Sequence, residues 1–184
     1  GTKNFRNASV TPEGYLEEGA DFRQLHRDYN LHVEFQLPYM PYARGQGRAN
    51  SGVYLQSRYE IQILDSFALE GLENECGALY RYQRPDVNMC YPPLSWQTYD
   101  IQFTSPRFDE SGLKVQNARL TVWHNGVLVH NDFDVERKTG GGKEESPELF
   151  PIRLQDHRNP VRFRNIWVRE NSPEATAPAL AAVP

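Results

Sequence analysis

The sequence predicts an all-β fold, a sandwich of two antiparallel sheets. Three observations point there: stretches that alternate apolar and polar residues with period two, turn residues between them at short intervals, and no convincing amphipathic helix. In the first clear run Leu31, Val33, Phe35 and Leu37 alternate with His32, Glu34 and Gln36, and Pro38 stops it. Tyr59, Ile61 and Ile63 alternate with Glu60 and Gln62, and Tyr99, Ile101 and Phe103 with Thr98, Asp100 and Gln102. Leu120 and Val122 alternate with Arg119, Thr121 and Trp123, after which Asn125-Gly126 leads into Val127-Leu128-Val129. An Asn-Gly pair between such runs predicts a type I′ hairpin, because both turn residues need positive φ. In the last run Val161, Phe163, Asn165 and Trp167 share one face, and Arg162, Arg164, Ile166 and Val168 the other.

Shorter strands are expected at 15–17, 22–27, 53–56, 78–80 and 152–155, with a single helical turn near 66–73. Residues 139–147, which contain Gly140-Gly141-Gly142, read as a mobile hairpin loop. Beyond Glu170 the chain turns to Ser, Pro and Ala without periodicity. The domain is therefore expected to span 1–170, followed by a disordered tail or linker over 171–184. A length of 184 residues suits one domain, and 13 Gly with 13 Pro fit a turn-rich globular chain rather than a low-complexity one.

Charge narrows the partners. A net charge of −4 lacks the basic footprint of a nucleic-acid binder, and no run approaches the roughly 18 apolar residues of a membrane span. No charged-then-apolar leader precedes the first strand, and because the chain starts at Gly1 this says nothing about export. Cys76 and Cys90 either pair in an oxidising compartment or sit as small buried residues. No further Cys or His stands at metal-ligand spacing, and no dense Asp/Asn loop offers the oxygens that calcium takes, so neither a metal nor a cofactor is expected. Ten Tyr against nine Phe favour surfaces where a ring is half buried and its hydroxyl stays wet, as in a binding face.

The chemistry concentrates in Tyr59-Glu60-Ile61-Gln62-Ile63-Leu64-Asp65-Ser66. Glu60 and Gln62 project from one strand face and Asp65 follows at its end. Together they offer a proton acceptor, a hydroxyl ligand and an orienting charge, although a solvated strand face is the commoner outcome of such a pattern. His157, after Leu154-Gln155-Asp156, titrates near neutrality and is a second acid–base candidate. Arg164 needs a carboxylate or a ligand, with Glu60 or Asp156 as available partners. Trp96, Trp123 and Tyr80 are candidate sugar platforms, with ordinary core packing as the alternative.

Seven strings, in order, resemble a known family: Ala49 to Leu55, Tyr59 to Ser66, Gly77-Ala78-Leu79-Tyr80, Trp96 to Ile101, Trp123-His124-Asn125-Gly126, Ile152 to His157 and Val161 to Ile166. The chain is similar to the bacterial 3-keto-disaccharide hydrolase domain over roughly residues 5–170. It departs from that pattern at Gln97 and Arg158. The resemblance implies a concanavalin-like jelly roll, a carbohydrate or glycoside substrate, and a periplasmic or secreted location. It also implies a mechanism: a 3-ketone acidifies the neighbouring C–H, so one base can start elimination of the glycosidic group, and water then adds. In that scheme Glu60 or His157 is the base, Asp65 orients or balances charge, and Asn50, Gln62, Gln155 and Arg164 bind hydroxyls or the enolate oxygen. Two rival readings remain. One is a non-catalytic lectin-like module using Trp96, Trp123 and Tyr80. The other is a retaining glycosidase, which is weakened because Gln62 stands where a second carboxylate would be needed.

Overall fold

Alternation decides which way each strand turns its side chains, and in the computed structural model the apolar sets of the long strands meet in one core. The structure describes residues 4–17 and 19–171. A five-stranded sheet runs, edge to edge, through β1 (Phe5–Arg6), β4 (Ala20–Phe22), β13 (Arg153–Leu154), β6 (Ser51–Leu55) and β7 (Tyr59–Ile63). A seven-stranded sheet runs through β12 (Val127–Val135), β11 (Ala118–His124), β8 (Trp96–Thr104), β5 (Tyr29–Gln36), β14 (Arg162–Glu170), β3 (Leu16–Glu17) and β2 (Ser9–Val10). A small hairpin, β9 (Arg107–Phe108) with β10 (Lys114–Gln116), stands apart.

Leu31, Val33 and Phe35 of β5, with Tyr99, Ile101 and Phe103 of β8, face Val53, Leu55, Tyr59, Ile61 and Ile63 of the smaller sheet. Tyr59 and Phe103 bring ring centroids to 5.6 Å across the layer, and the Tyr99 hydroxyl donates to the Gln62 carbonyl oxygen at 2.6 Å. The Asn125-Gly126 turn has φ of 52° and 78°, as a type I′ hairpin requires.

Several elements differ from expectation for local reasons. The 22–27 strand lies instead at Ala20–Phe22, and the 152–155 strand shrinks to Arg153–Leu154. No helical turn forms over 66–73. Residues 77–83 instead dock along the free edge of β7: Tyr80 N–H donates to Glu60 O and Gln62 N–H to Ala78 O, each at 2.9 Å, and Leu79 bridges Ile61. In β14 a bulge at Asn165, with φ of 44°, breaks the alternation, so Trp167 leaves the face of Phe163 and turns outward. Cys76 and Cys90 are buried free thiols. The proposed tail beyond residue 171 lies outside the described residues, and among those described no helix is long and apolar enough to cross a membrane.

The glycine-rich loop, expected to be mobile, is packed against Arg58. This arginine is 1% exposed and donates to the carbonyl oxygens of Glu144, Ser146 and Glu148 and to the side chain of Gln56, with its guanidinium 4.8 Å over Phe150. A Cβ at Gly142 would stand 2.0 Å from the Arg58 carbonyl oxygen, so only glycine fits there. Replacing Arg58 by Met keeps the stem but strands buried acceptors. We expect a loss of about 3–5 kcal/mol in urea unfolding, and proteolysis of the folded variant first within 139–150.

Candidate functional site

Strands β6 and β7 are buried along their whole length on both faces. Their inward residues fill the core, so the outward ones, Gly52, Tyr54, Glu60 and Gln62, are covered by something other than the second sheet. A solvated strand face, the commoner outcome of such a pattern, is therefore not what forms. The pairing puts these residues into two rows across the five-stranded sheet. In the first, Asp21, Arg153, Tyr54 and Glu60 are successive cross-strand partners, and the bond from Tyr80 N–H to Glu60 O extends the row to Tyr80. In the second, Gln155 is bonded through its N–H to Gly52 O at 2.8 Å, and Gly52 pairs with Gln62.

Glu60 is the deeply buried carboxyl of this face. It is 3% exposed, and burial pushes its carboxyl up to about 7 against the pull of a 2.7 Å hydrogen bond from the Tyr54 hydroxyl. The other carboxylate oxygen reaches over Gly52, where a Cβ would stand 2.5 Å from it. Covering the group are Thr139, whose hydroxyl accepts the Glu60 N–H at 3.0 Å, and Gly141, which lies against the Tyr54 hydroxyl.

Amides surround this carboxyl, and two of their acceptors have no use within the protein. Gln62 donates from Nε2 to Gln46 Oε1 at 3.0 Å and lies 3.4 Å from Asn50 Oδ1, while Asn50 donates to the Gln46 carbonyl oxygen at 2.7 Å. Gln155 Nε2 approaches the Tyr54 hydroxyl at 3.4 Å. Yet Gln62 Oε1 and Gln155 Oε1, either side of Gly52, are buried without a hydrogen-bond partner among the described residues, an arrangement proteins avoid unless a ligand or water supplies the donor. Beside them a cleft of about 380 Å³ is lined by Gly19, Asp21, Arg153, Gln155 and Asp156, and Arg153 donates from Nε to Asp21 at 2.7 Å.

The structure thus gathers Glu60, Gln62, Asn50, Gln155 and Tyr80 on one face. Asp65 sits at the end of the strand, its N–H bonded to the Arg48 carbonyl oxygen. His157 is exposed on the rim loop, two residues before Asn159, whose side chain accepts the Asn50 N–H at 2.9 Å. Trp96, Trp123 and Arg164 are not brought there: all three belong to the outer face of the seven-stranded sheet. Arg164 pairs with Glu34 at 2.6 Å and lies 3.9 Å over the Trp96 ring, so neither Glu60 nor Asp156 is its partner. A single sugar platform of Trp96, Trp123 and Tyr80 is therefore not assembled. The sequence reading missed Tyr54 and Arg153. Both lie in strings already singled out, but only the register of β6 with β7 and β13 shows that they flank Glu60. Among the described residues, no group of three or more His, Cys, Asp or Glu is arranged to hold a metal ion.

The fold has solved counterparts. A provisionally assigned glycosyl hydrolase from Parabacteroides distasonis is 30% identical, with a TM-score of 0.81 over 90% of this chain and 75% of its own. Two further provisionally assigned glycosyl hydrolases from the same organism share the sandwich. One has 16% identity and a TM-score of 0.59 over 93% of this chain and 85% of its own. The other has 18% identity and a TM-score of 0.57 over 92% of this chain and 96% of its own. No curated protein matches the chain. The family model of the 3-keto-alpha-glucoside-1,2-lyase-like domain matches residues 18–169, with Glu60 and its flanking amides inside the match, and the chain belongs to that carbohydrate-active family.

Proposed function

We propose that this domain cleaves glycosidic bonds of 3-keto-glycosides by elimination, with Glu60 as the base. The observation that carries this reading is a buried carboxyl raised to about 7, set between two amide oxygens that lack donors. A general base works best when its pKa lies near the working pH, and burial gives Glu60 that value without a second carboxylate beside it on the strand. The acceptors at Gln62 and Gln155 suit sugar hydroxyls, which are donors of the right kind.

The chemistry balances as follows. Glu60 takes the proton from C2, which the C3 ketone has acidified, and the electron pair passes into an enolate. The C1–O bond then breaks, the departing alkoxide takes a proton from water, and a C1–C2 double bond remains. The hydroxide left by that proton transfer then adds to C1 and Glu60 returns its proton to C2, which gives the free 3-keto sugar and restores the Glu60 carboxylate. In this reading the sugar enters from the cleft beside Gln155 and reaches inward to Glu60, with Arg153, in the cleft wall, supplying polar hydrogens to its oxygens. Glu60 is preferred to His157 because it is the group whose environment is built for proton transfer, whereas His157 is exposed on a loop. A hydrolase using two carboxylates is disfavoured, since the strand neighbour of Glu60 on this face is the amide of Gln62.

Paired substrates, a glucoside and its 3-keto form with the same leaving group, test the reading. The wild-type protein should release the leaving group only from the ketone. Glu60→Gln should lower kcat by roughly 10²–10⁴-fold, and His157→Ala should leave it within a few-fold. Full turnover by Glu60→Gln would overturn the assignment.

The rate should rise with pH through a midpoint near 7 as Glu60 ionises. The Tyr54 hydrogen bond favours the ionised form, so Tyr54→Phe should move that midpoint upward; a downward shift would contradict the pairing.

Stability gives a reading independent of substrate. Between the ordinary carboxylate range and pH 7 the unfolded chain loses its Glu60 proton while the folded one keeps it, so folding stability falls as pH rises through that window and levels off above it. The loss amounts to about 3 kcal/mol at pH 8. Glu60→Gln, which carries no charge in either state, should remove it. Urea unfolding at pH 5 and pH 8 should show the variant gaining on the wild-type protein only at the higher pH.

A further inference from the structure

The outer face of the seven-stranded sheet carries a second constellation that the reaction does not use. Trp123 on β11 pairs with Asp100 on β8, Asp100 with His32 on β5, and His32 with Trp167 on β14, so four side chains stand in one straight row. Three strand spacings, roughly 14 Å, separate the two tryptophan backbones. Between them His32 Nδ1 lies 2.6 Å from Asp100 Oδ1, and the Trp167 indole, 48% exposed, stacks on the His32 ring at 5.2 Å and 11°. The adjacent row is Gln102 and Asn30 with Arg169. A trough of about 270 Å³ lies over Asn30, Asp100, Gln102 and Arg169, with Trp123 and Trp167 in its walls. Asn30 Oδ1 has no hydrogen-bond partner among the described residues, although the Asn30 amide nitrogen donates to Asn171 at 2.7 Å.

What could occupy such a trough follows from its chemistry. Strands β8 and β5 are paired on both edges, so no backbone is free for an added peptide strand. One carboxylate and one guanidinium, Asp100 and Arg169, offset one another, which suits neither a polyanion nor a polycation. Glu34, in the next row, is held ionised by Asn165 and Arg164 and is likewise matched. What remains are two indole side chains, the amides of Gln102 and Asn30, and one acceptor unused among the described residues. A pyranose presents that complement, with apolar C–H faces and hydroxyls around its edge. The outward turn of Trp167 depends on the Asn165 bulge, and bulges recur where a sheet re-aims a side chain towards a ligand.

We infer that the trough between Trp123 and Trp167 is a binding site for a neutral, unoxidised oligosaccharide, separate from the Glu60 face. It tethers the domain to glycan while chemistry occurs on the opposite sheet. The inference does not rest on the reaction assigned to Glu60.

Calorimetric titration with soluble gluco-oligosaccharides, one α-linked and one β-linked series, tests it. At least one series should bind the wild-type protein. Trp123→Ala and Trp167→Ala should each weaken that binding about tenfold, Trp167→Phe should weaken it less, and Glu60→Gln should leave it unchanged. Thermal midpoints check that the variants are folded, and Trp167, being half exposed, is the substitution the fold tolerates best. The proposal is overturned if neither series binds, if the tryptophan variants bind as wild type, or if binding is lost in Glu60→Gln instead.

Discussion

The Glu60 carboxyl occupies the space that any side chain on residue 52 would fill. That single packing relation makes the rest of the site necessary. With Gly52 diagonal to it on the outer face, the carboxyl folds across the neighbouring strand rather than away from it, and one oxygen comes to lie over Gly52, whose row neighbours are Gln62 and Gln155. Buried there, the carboxyl has only the Tyr54 hydroxyl as a hydrogen-bond donor among the described residues. A carboxylate so placed gives up stability in exchange for a proton affinity suited to neutral pH, which is how a buried acid or base is ordinarily tuned.

Such burial needs a cover, and the cover explains parts of the fold that a sandwich alone does not require. Residues 77–83 extend the sheet past β7 and add Tyr80 to the row of Glu60. From the other side Thr139 and Gly141 close over Glu60 and Tyr54. That loop is held by Arg58, which is one of the largest fully buried side chains and spends its donors on backbone oxygens rather than on a carboxylate. Arg58 lies in the turn between β6 and β7, so the same hairpin that carries Gly52 and Glu60 also anchors the loop that shields them. Site and shield are therefore coupled through one turn, and damage to the anchor should reach the carboxyl.

The sequence was readable where one face of a strand is buried and the other is wet. The runs at 31–37, 98–104 and 118–124 have that character, and their period-two signal survives intact in β5, β8 and β11. It was misleading in β7, where Glu60 and Gln62 look like a solvated face and are buried, because alternation reports a change of polarity and not the presence of water. It failed in β14 beyond Phe163, where the bulge at Asn165 reverses the face of Trp167 without any mark that a single sequence reveals. Very short strands such as β3, β4 and β13 depend on neighbours distant in the chain, so their limits were not legible locally. The site itself was half legible. Glu60 and Gln62 fall on one face as their alternation suggested, and the register adds Asn50, Gln155 and Tyr80 to it. Which of the tryptophans and arginines joined them was a question of sheet membership, settled only by pairings between segments far apart: Trp96, Trp123 and Arg164 belong to the other sheet.

That separation has a mechanical consequence. The two sheets pack about 10 Å apart with a filled core between them, so a single sugar ring cannot touch both the Glu60 face and the tryptophan face. Any glycan held between Trp123 and Trp167 must reach the carboxyl, if at all, by a different part of the same chain or by a different molecule. Nor do the residues of the two faces share a hydrogen-bond network: on one side Arg153 pairs with Asp21, on the other Arg164 pairs with Glu34. Substitutions on one face should therefore be close to additive with those on the other, since distant sites without common partners rarely couple by more than a few tenths of a kcal/mol. A sandwich with both outer faces furnished in this way can change one face without disturbing the proton affinity of Glu60 on the other.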